Sequence, residues 1–153
     1  MSRLLLDTTY LLPAVGVKLG GELDRTLVAA QDAGHEVWIS DITVFELLAK
    51  GAKLAEAGKL SEERLALGVR GILADGSIRK ASAYEEDVAE TSVKLRRYHR
   101  DFVDCLIVAS ALEHCDGLVT EEEFEDEPDL VRFIEEMSPS FRVLKAKELA
   151  RKG

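Results

Sequence analysis

The chain has 153 residues, 46% hydrophobic and 32% charged, which is the composition of one soluble globular domain spanning 1–153. Its formal net charge of −9 argues against a generic nucleic-acid coat protein, because Lys and Arg dominate phosphate binding. No segment approaches the roughly 18 apolar residues that cross a bilayer, and the apolar run after Arg3 is too short for a signal peptide, so we expect a cytoplasmic protein with no membrane contact.

Short apolar runs alternate along the chain with longer stretches of helical periodicity. The apolar runs predict five strands, at residues 3–6, 36–40, 78–80, 117–119 and 142–144. The periodic stretches predict helices at residues 21–33, 42–57, 62–74, 84–98, 102–114, 128–137 and 145–151. Strands separated by helices need crossover connections, so we expect a three-layer α/β/α fold with a mostly parallel sheet of about five strands.

The predicted helix at residues 102–114 is apolar around nearly its whole circumference, which is typical of a central, buried helix. Asp104 lies near its start. Cys105 and Cys115 read as belonging to this helix, about 15 Å apart, too far for a disulfide. We therefore expect two buried free thiols.

Four acidic residues stand where this fold could bring them together. Asp7 ends the first strand, and Glu122 follows the fourth. Glu46 and Asp104 lie within apolar helical stretches. Ligands of parallel sheets bind beyond the carboxyl ends of the strands, and four carboxylates meeting there would repel one another without a cation. Carboxylate clusters are the ligands that Mg²⁺ and Mn²⁺ prefer, so the pattern suggests metal-dependent phosphodiester chemistry.

Each acid also has a structural interpretation, which the residues alone leave open. Asp7 could cap the following helix. Glu46 could form an exposed helical pair with Lys50, and singly this is its better interpretation. Asp104 could complete a capping box with Asp101, although we favour a ligand role.

Two charged segments allow similar alternatives. The acidic run at residues 121–127 is typical of a solvated loop or a helix start. The basic cluster at residues 94–100 could be a solvated helix end or could contact RNA phosphates, with Tyr98 as a surface for base stacking. The spacing of His35, His99 and His114 favours surface or core roles over metal binding.

Four motifs together resemble the PIN-domain ribonucleases, a family that includes VapC-type toxins. The family has an apolar strand followed by Asp and Thr, a strand-end Ser before a helix with Glu, an Asp opening an Ile- and Ala-rich helix, and a strand followed by Thr and a second Asp. The corresponding runs here are Leu4-Leu5-Leu6-Asp7-Thr8, Ser40-Asp41-Ile42-Thr43-Val44-Phe45-Glu46, Asp104-Cys105-Leu106-Ile107-Val108-Ala109 and Leu118-Val119-Thr120-Glu121-Glu122. The last motif departs from the family, because Glu122 replaces Asp, and Glu121 or Glu123 could take its place.

The resemblance implies a divalent-metal-dependent endonuclease that cleaves single-stranded RNA by means of metal-activated water and leaves a 5′-phosphate and a 3′-hydroxyl. The implied metal-binding and catalytic residues are Asp7, Glu46, Asp104 and Glu122, with Mg²⁺ or Mn²⁺ as cofactor. Thr8 and Thr120 would orient the carboxylates.

The resemblance also implies partners. A toxin of this family would bind an antitoxin protein, and a homodimer is expected. Apolar residues in two helices outside the main pattern support the dimer: Leu54, Leu60, Leu65, Leu67 and Ile72.

Two other functions compete with the ribonuclease. A catalytically inactive PIN-like module that binds proteins would suit the overall acidity and Glu122. A phosphatase of the haloacid-dehalogenase type would also place Asp7 at the end of its first strand. That chemistry requires a second Asp two residues later, where this chain has Thr9.

Overall fold

The computed structural model describes residues 1–150, and it contains a five-stranded, all-parallel sheet with helices on both faces. The strand order is β3-β2-β1-β4-β5. The strands are β1 (Arg3–Leu6), β2 (Glu36–Ser40), β3 (Ile78–Ala81), β4 (Gly117–Val119) and β5 (Arg142–Leu144). This confirms the predicted three-layer α/β/α fold.

The helices fill the crossovers between these strands. They are α1 (Thr26–Asp32), α2 (Asp41–Glu56), α3 (Glu62–Ala74), α4 (Glu86–Leu95), α5 (Phe102–His114), α6 (Pro128–Met137) and α7 (Ala146–Ala150). Three segments are 3₁₀ helices: Thr8–Val15, Gly21–Arg25 and Phe124–Asp126.

Strand β1 lies at the centre of the sheet and organises the core. Its side chains alternate between the two faces, as strand geometry requires. Leu4 and Leu6 pack into the apolar cluster on one face, and Leu5 packs into the cluster on the other face with Leu118 and Ile107 of α5. Because apolar clusters cover both faces of β1, its residues Leu4, Leu5 and Leu6 are all apolar.

The predicted elements agree closely with the observed ones, with three differences. The segment predicted as a helix at 21–33 is a 3₁₀ helix up to Arg25 before α1 begins. Helix α4 is shorter at both ends than the predicted 84–98. The 3₁₀ helix Thr8–Val15 was not predicted, since it has Pro13 in its interior and no regular apolar periodicity. Arg151, the last residue of the predicted final helix, lies outside the described residues.

Helices α2 and α3 contact each other, and both contact the 3₁₀ helix Thr8–Val15. Gly68 of α3 permits the contact, because a Cβ there would lie 2.4 Å from the backbone oxygen of Ala14. Of the five apolar residues predicted to favour a dimer, Leu65 and Ile72 are instead buried in the core, while Leu67 is 60% exposed.

Two smaller expectations concern the membrane and the thiols. Within residues 1–150, no helix has both the length and the apolar character that crossing a bilayer requires. Cys105 and Cys115 are free and buried, as predicted, although Cys115 lies just beyond the end of α5.

Candidate active site

The candidate site lies at the carboxyl edge of the sheet, where β1 and β4 end side by side. Asp7 directly follows β1 and Thr120 directly follows β4. The Asp7 amide donates to the Val119 oxygen at 3.0 Å, which extends the parallel pairing beyond the last residue of β1. The two side chains therefore emerge next to each other.

Both carboxylate oxygens of Asp7 have hydrogen-bond donors. Oδ1 accepts from the Thr8 amide at 2.7 Å, so Asp7 caps the 3₁₀ helix that follows it. Oδ2 accepts from the Thr120 hydroxyl at 2.7 Å. The capping role and a place in a cluster are thus compatible. Burial nevertheless raises the pKa of Asp7, since it outweighs the lowering effect of these two hydrogen bonds.

Glu46 approaches the same strand end from α2. This helix begins directly after β2 because the Ser40 side chain accepts a hydrogen bond from the Ile42 amide at 3.2 Å. Glu46 is half-buried one turn further on, and its Oε1 accepts a hydrogen bond from the Thr8 hydroxyl. Among residues 1–150 no ion pair joins Glu46 to Lys50, so the exposed-pair interpretation does not describe this side chain.

Asp104 lies in the first turn of α5, but it does not cap the helix. Asp101 does so, since its Oδ1 accepts from the amides of Val103 at 2.9 Å and Asp104 at 3.2 Å. The Asp104 carboxylate is consequently available for other contacts, and its Oδ2 lies 2.8 Å from Nε2 of His99. The capping-box interpretation therefore holds for Asp101 alone.

The pKa of Asp104 is raised from 3.8 to about 6, chiefly by burial. The hydrogen bond with His99 lowers it, while the negative charges of Asp101, Glu122 and Asp7 raise it further. Glu122 likewise raises the pKa of Asp7. Asp7, Asp104 and Glu122 therefore form one electrostatically coupled group, although they are distant in sequence.

Three consecutive glutamates compete for the fourth acidic position, and their contacts distinguish them. Glu121 accepts a hydrogen bond from the Tyr10 hydroxyl at 2.5 Å. Glu123 pairs with Lys145 at 2.8 Å. Within residues 1–150, the Glu122 carboxylate has neither a hydrogen bond nor an ion pair, and only its backbone amide is held, by the Thr120 hydroxyl at 3.1 Å. Of the three, Glu122 is thus the carboxylate best placed to bind a ligand.

The chemistry of these side chains suits a hard divalent cation, because carboxylate and hydroxyl oxygens are the ligands that Mg²⁺ and Mn²⁺ prefer. The raised pKa values of Asp7 and Asp104 show that burial disfavours their negative charge, a cost that a cation would offset. Across the described part of the chain, however, no three acidic, His or Cys side chains are grouped closely enough to hold a metal as they stand. Binding by three of the acids would therefore require side-chain movement.

The sequence did not predict that His99 would join this group. Its Nδ1 lies 2.9 Å from both carboxylate oxygens of Glu127, opposite the contact with Asp104. Burial lowers the pKa of His99, but the hydrogen bonds with Asp104 and Glu127 outweigh it, and the net pKa is raised. No short motif joins His99 to Glu127, because 28 residues separate them; only the fold brings them together.

The basic cluster at 94–100 begins at the end of α4 and continues through the turn that precedes α5. Lys94 pairs weakly with Glu90, at 3.8 Å on an exposed surface. The Tyr98 ring packs against Phe133 with centroids 5.2 Å apart, and Tyr98 remains 36% exposed. The cluster therefore lies on the polypeptide segment that leads directly into Asp101 and Asp104.

Comparison with known proteins decides the family. The family model of the PIN domain matches residues 4–124, which include Asp7, Glu46, Asp104 and Glu122. The chain belongs to the PIN-domain family. PIN domains are generally nucleases that use divalent metals. No curated protein sequence matches this chain significantly.

Three solved structures share the fold of this PIN domain at low sequence identity. VapBC2 from Rickettsia felis, bound to a promoter DNA fragment, has a TM-score of 0.65 and 16% identity, with 94% of this chain and 98% of that chain covered. FitAcB from Neisseria gonorrhoeae has a TM-score of 0.56, 20% identity and coverage of 94% and 98%. A toxin–antitoxin complex from Klebsiella pneumoniae has a TM-score of 0.53, 24% identity and coverage of 81% and 92%.

Proposed function

We propose that this PIN domain is a divalent-metal-dependent endoribonuclease that cleaves single-stranded RNA. The observation that carries the proposal is the meeting of acidic side chains at the carboxyl edge of the sheet, where Asp7 is bound by Thr120 after β4 and Glu46 is bound by Thr8 after β1. Parallel sheets bind their ligands at this edge. Carboxyl groups that cluster at this edge with raised pKa values are candidates for catalysis. Burial disfavours their negative charge, and a bound cation would stabilise it.

In this proposal Asp7, Glu46 and Asp104 hold the cation, and Glu122 is the fourth acid. When bound, Mg²⁺ or Mn²⁺ would lower the pKa of a bound water and stabilise developing charge on the phosphate. Thr120 orients Asp7 through the hydrogen bond to Oδ2, and Thr8 orients Glu46. Such partners keep carboxylates in position and strengthen metal binding.

The basic segment at 94–100 is the candidate contact for RNA phosphates. Burial raises the pKa of the Cys105 thiol to about 11, and the positive charge of Arg96 opposes this rise. Arg96 therefore acts on the residue that directly follows Asp104 in the chain. The exposed part of Tyr98 offers a ring edge or face to an unpaired base. Single-stranded RNA suits this arrangement because its bases can leave the stack.

We further propose that the protein acts in the cytoplasm as the toxin of a toxin–antitoxin pair and forms a homodimer. The structural neighbours named above include toxin–antitoxin complexes, which supports an antitoxin as partner. Helices α2 and α3 expose apolar side chains that a protein partner could cover: Phe45, Leu48, Leu67 and Leu73. The reduced, buried thiols of Cys105 and Cys115 are compatible with a reducing compartment.

A second candidate function is a catalytically inactive PIN module that binds proteins. One observation favours it: among residues 1–150 the acids do not form a ready three-ligand metal site. Glu122 in place of Asp also moves the fourth carboxylate one methylene further from the backbone.

Cleavage of a fluorescently labelled single-stranded RNA, with Mn²⁺, with Mg²⁺ and with EDTA, separates the two functions. The variant Asp104→Asn removes one proposed ligand while nearly preserving volume. Asp129→Asn is the matched control, because Asp129 is exposed on α6 and, among residues 1–150, its ion pair is with Arg132, at 3.8 Å. We expect metal-dependent cleavage by the wild type and by Asp129→Asn, and a loss of at least about 100-fold in Asp104→Asn.

The chemistry of the product ends excludes contaminating nucleases. The proposed reaction leaves 5′-phosphate and 3′-hydroxyl ends, whereas metal-independent ribonucleases that use the 2′-hydroxyl leave cyclic phosphates. Equal cleavage by the wild type and Asp104→Asn, or cleavage that persists in EDTA, would contradict the ribonuclease proposal. Complete inactivity of a folded wild type on a range of RNAs with both metals would favour the inactive module.

A further inference from the structure

The imidazole of His99 joins two carboxylates that belong to different parts of the fold. Its Nε2 lies 2.8 Å from Oδ2 of Asp104, on α5, and its Nδ1 lies 2.9 Å from both oxygens of Glu127, the residue before α6. The side chains of His99 and Asp104 are only 12% and 15% exposed. The contact with Asp104 is therefore largely shielded from water and carries more weight than a surface pair, whereas Glu127 is 33% exposed.

The surroundings of His99 fix the ring. The ring packs at 84° against Phe124, with centroids 5.4 Å apart, and Phe124 is almost fully buried. The His99 amide donates to the Leu95 oxygen at 3.1 Å, which ties the residue to the end of α4. The carbonyl of His99 lies 3.7 Å from the Cys105 thiol. Contacts at both ring nitrogens and against Phe124 keep the imidazole in one orientation. The imidazole can therefore keep a neighbouring side chain in one orientation.

Asp104 needs such a partner, because its own helix leaves its carboxylate without one. Asp101 satisfies the free amides at the start of α5, so Asp104 has no role in capping. The contact with His99 occupies Oδ2 and leaves Oδ1 for another ligand. The Glu127 carboxylate contacts the opposite ring nitrogen, so the imidazole is fixed from both sides.

We propose that His99 and Glu127 are positioning residues that hold the Asp104 carboxylate in the orientation needed to bind a divalent cation. This inference rests on the proposed function of the site. His99 orients Asp104 directly, and Glu127 orients the imidazole. Partners of this kind commonly change metal affinity by about 10- to 100-fold when they are removed.

Substitutions of His99 can separate orientation from general stability. Gln places its amide nitrogen close to the position of Nε2, and Asn places its amide near Nδ1. His99→Gln therefore keeps a donor for Asp104, whereas His99→Asn keeps only the donor for Glu127. His99→Ala removes both.

The matched control is His114→Ala, at the other end of α5. Nε2 of His114 lies 2.9 Å from Oε2 of Glu85 but outside hydrogen-bond alignment, and the ring stacks on Trp38. It lies ten residues from Asp104, about 15 Å along the helix. Loss of this pair should affect stability but not the metal site.

Mn²⁺ affinity, measured by electron paramagnetic resonance without RNA, is the main readout. We expect the dissociation constant to rise at least about 10-fold in His99→Ala and His99→Asn, to stay within about threefold of wild type in His99→Gln and His114→Ala, and to rise severalfold in Glu127→Gln. Wild-type affinity in His99→Ala, or affinity as poor in His99→Gln as in His99→Ala, would overturn the inference and leave the proposed function intact.

A crystal structure of metal-free His99→Ala provides a second test, which does not depend on the proposed function. We expect the Asp104 carboxylate to adopt a different rotamer or to become disordered. An unchanged Asp104 side chain would overturn the inference. By contrast, a wild type that binds no Mn²⁺ would overturn the proposed function, and this second test would still decide whether His99 positions Asp104.

Discussion

Replacing Asp104 with Asn should stabilise the metal-free protein at neutral pH, although it removes a proposed catalytic residue. The pKa of Asp104 is about 6 in the folded protein, above the ordinary value of 3.8, mainly because the carboxylate is buried. Between these two values the folded state holds more protons than the unfolded chain. The free energy of unfolding therefore falls as pH rises through this range, and above it the full cost persists.

The rise in the pKa of Asp104 from 3.8 to about 6 corresponds to a loss of about 3 kcal/mol in the free energy of unfolding when the carboxyl group is ionised. Asn cannot ionise, so Asp104→Asn escapes this cost. We therefore compare the free energy of unfolding of Asp104→Asn with that of wild type at each pH. From pH 4 to pH 7.5, the variant should gain up to about 3 kcal/mol of stability relative to wild type. Groups far from Asp104 titrate equally in both proteins and cancel in the difference. The titration of His99, which Asp104 contacts, changes with the substitution, so about 3 kcal/mol is the upper bound of the effect.

Urea denaturation in EDTA, followed by circular dichroism at several pH values, measures this difference. EDTA is essential, because a bound cation would stabilise the wild type and hide the effect. The control Asp129→Asn, at an exposed position in the first turn of α6, should give no gain in stability at pH 7.5. A variant that is less stable than wild type at pH 7.5, by an amount independent of pH, would refute the reasoning that burial strains Asp104.

Three further substitutions test the packing of α3, the hydroxyl of Thr120 and the exposed apolar surface of α2 and α3. Gly68→Ala should lower the free energy of unfolding by about 2 to 3 kcal/mol in urea denaturation, since its Cβ would meet the Ala14 oxygen at 2.4 Å; no loss would show that α3 can shift. Thr120→Val removes the hydroxyl bound to Asp7, so kcat/KM for RNA should fall about 10-fold, and unchanged kinetics would dismiss its orienting role. Leu67→Asp should convert the proposed dimer to a monomer in light scattering, and a persistent dimer would place the interface elsewhere.

The fold could be predicted well because its strands and helices carry local signals. Helix α3 follows Ser61, whose side chain accepts from the Arg64 amide at 3.2 Å, and its predicted bounds are those observed. Helix α5 begins after the cap Asp101 and also has its predicted bounds. By contrast, the 3₁₀ helix Thr8–Val15 depends on packing against α3, and no local pattern reveals it.

The candidate site could be predicted less completely, because its contacts join distant parts of the chain. The strand-end position of Asp7 was visible in the apolar run before it. The sequence did not show that, within residues 1–150, the Glu121 carboxylate has a hydrogen-bond donor and that of Glu122 has none. A donor to Glu121 is Tyr10, 111 residues away from it. The link from Glu127 through His99 was equally invisible, because it requires α4, α5 and the segment before α6 to meet.

One divalent cation should bind among Asp7, Glu46, Asp104 and Glu122. Anomalous diffraction from a crystal soaked in Mn²⁺ tests this binding. We expect one strong peak at the carboxyl edge of the sheet, in contact with carboxylate oxygens of Asp7 and Asp104 at about 2.0 to 2.2 Å. At saturating Mn²⁺, a peak confined to the exposed acids Glu125 and Asp126, with none beside Asp7 and Asp104, would contradict the proposed site.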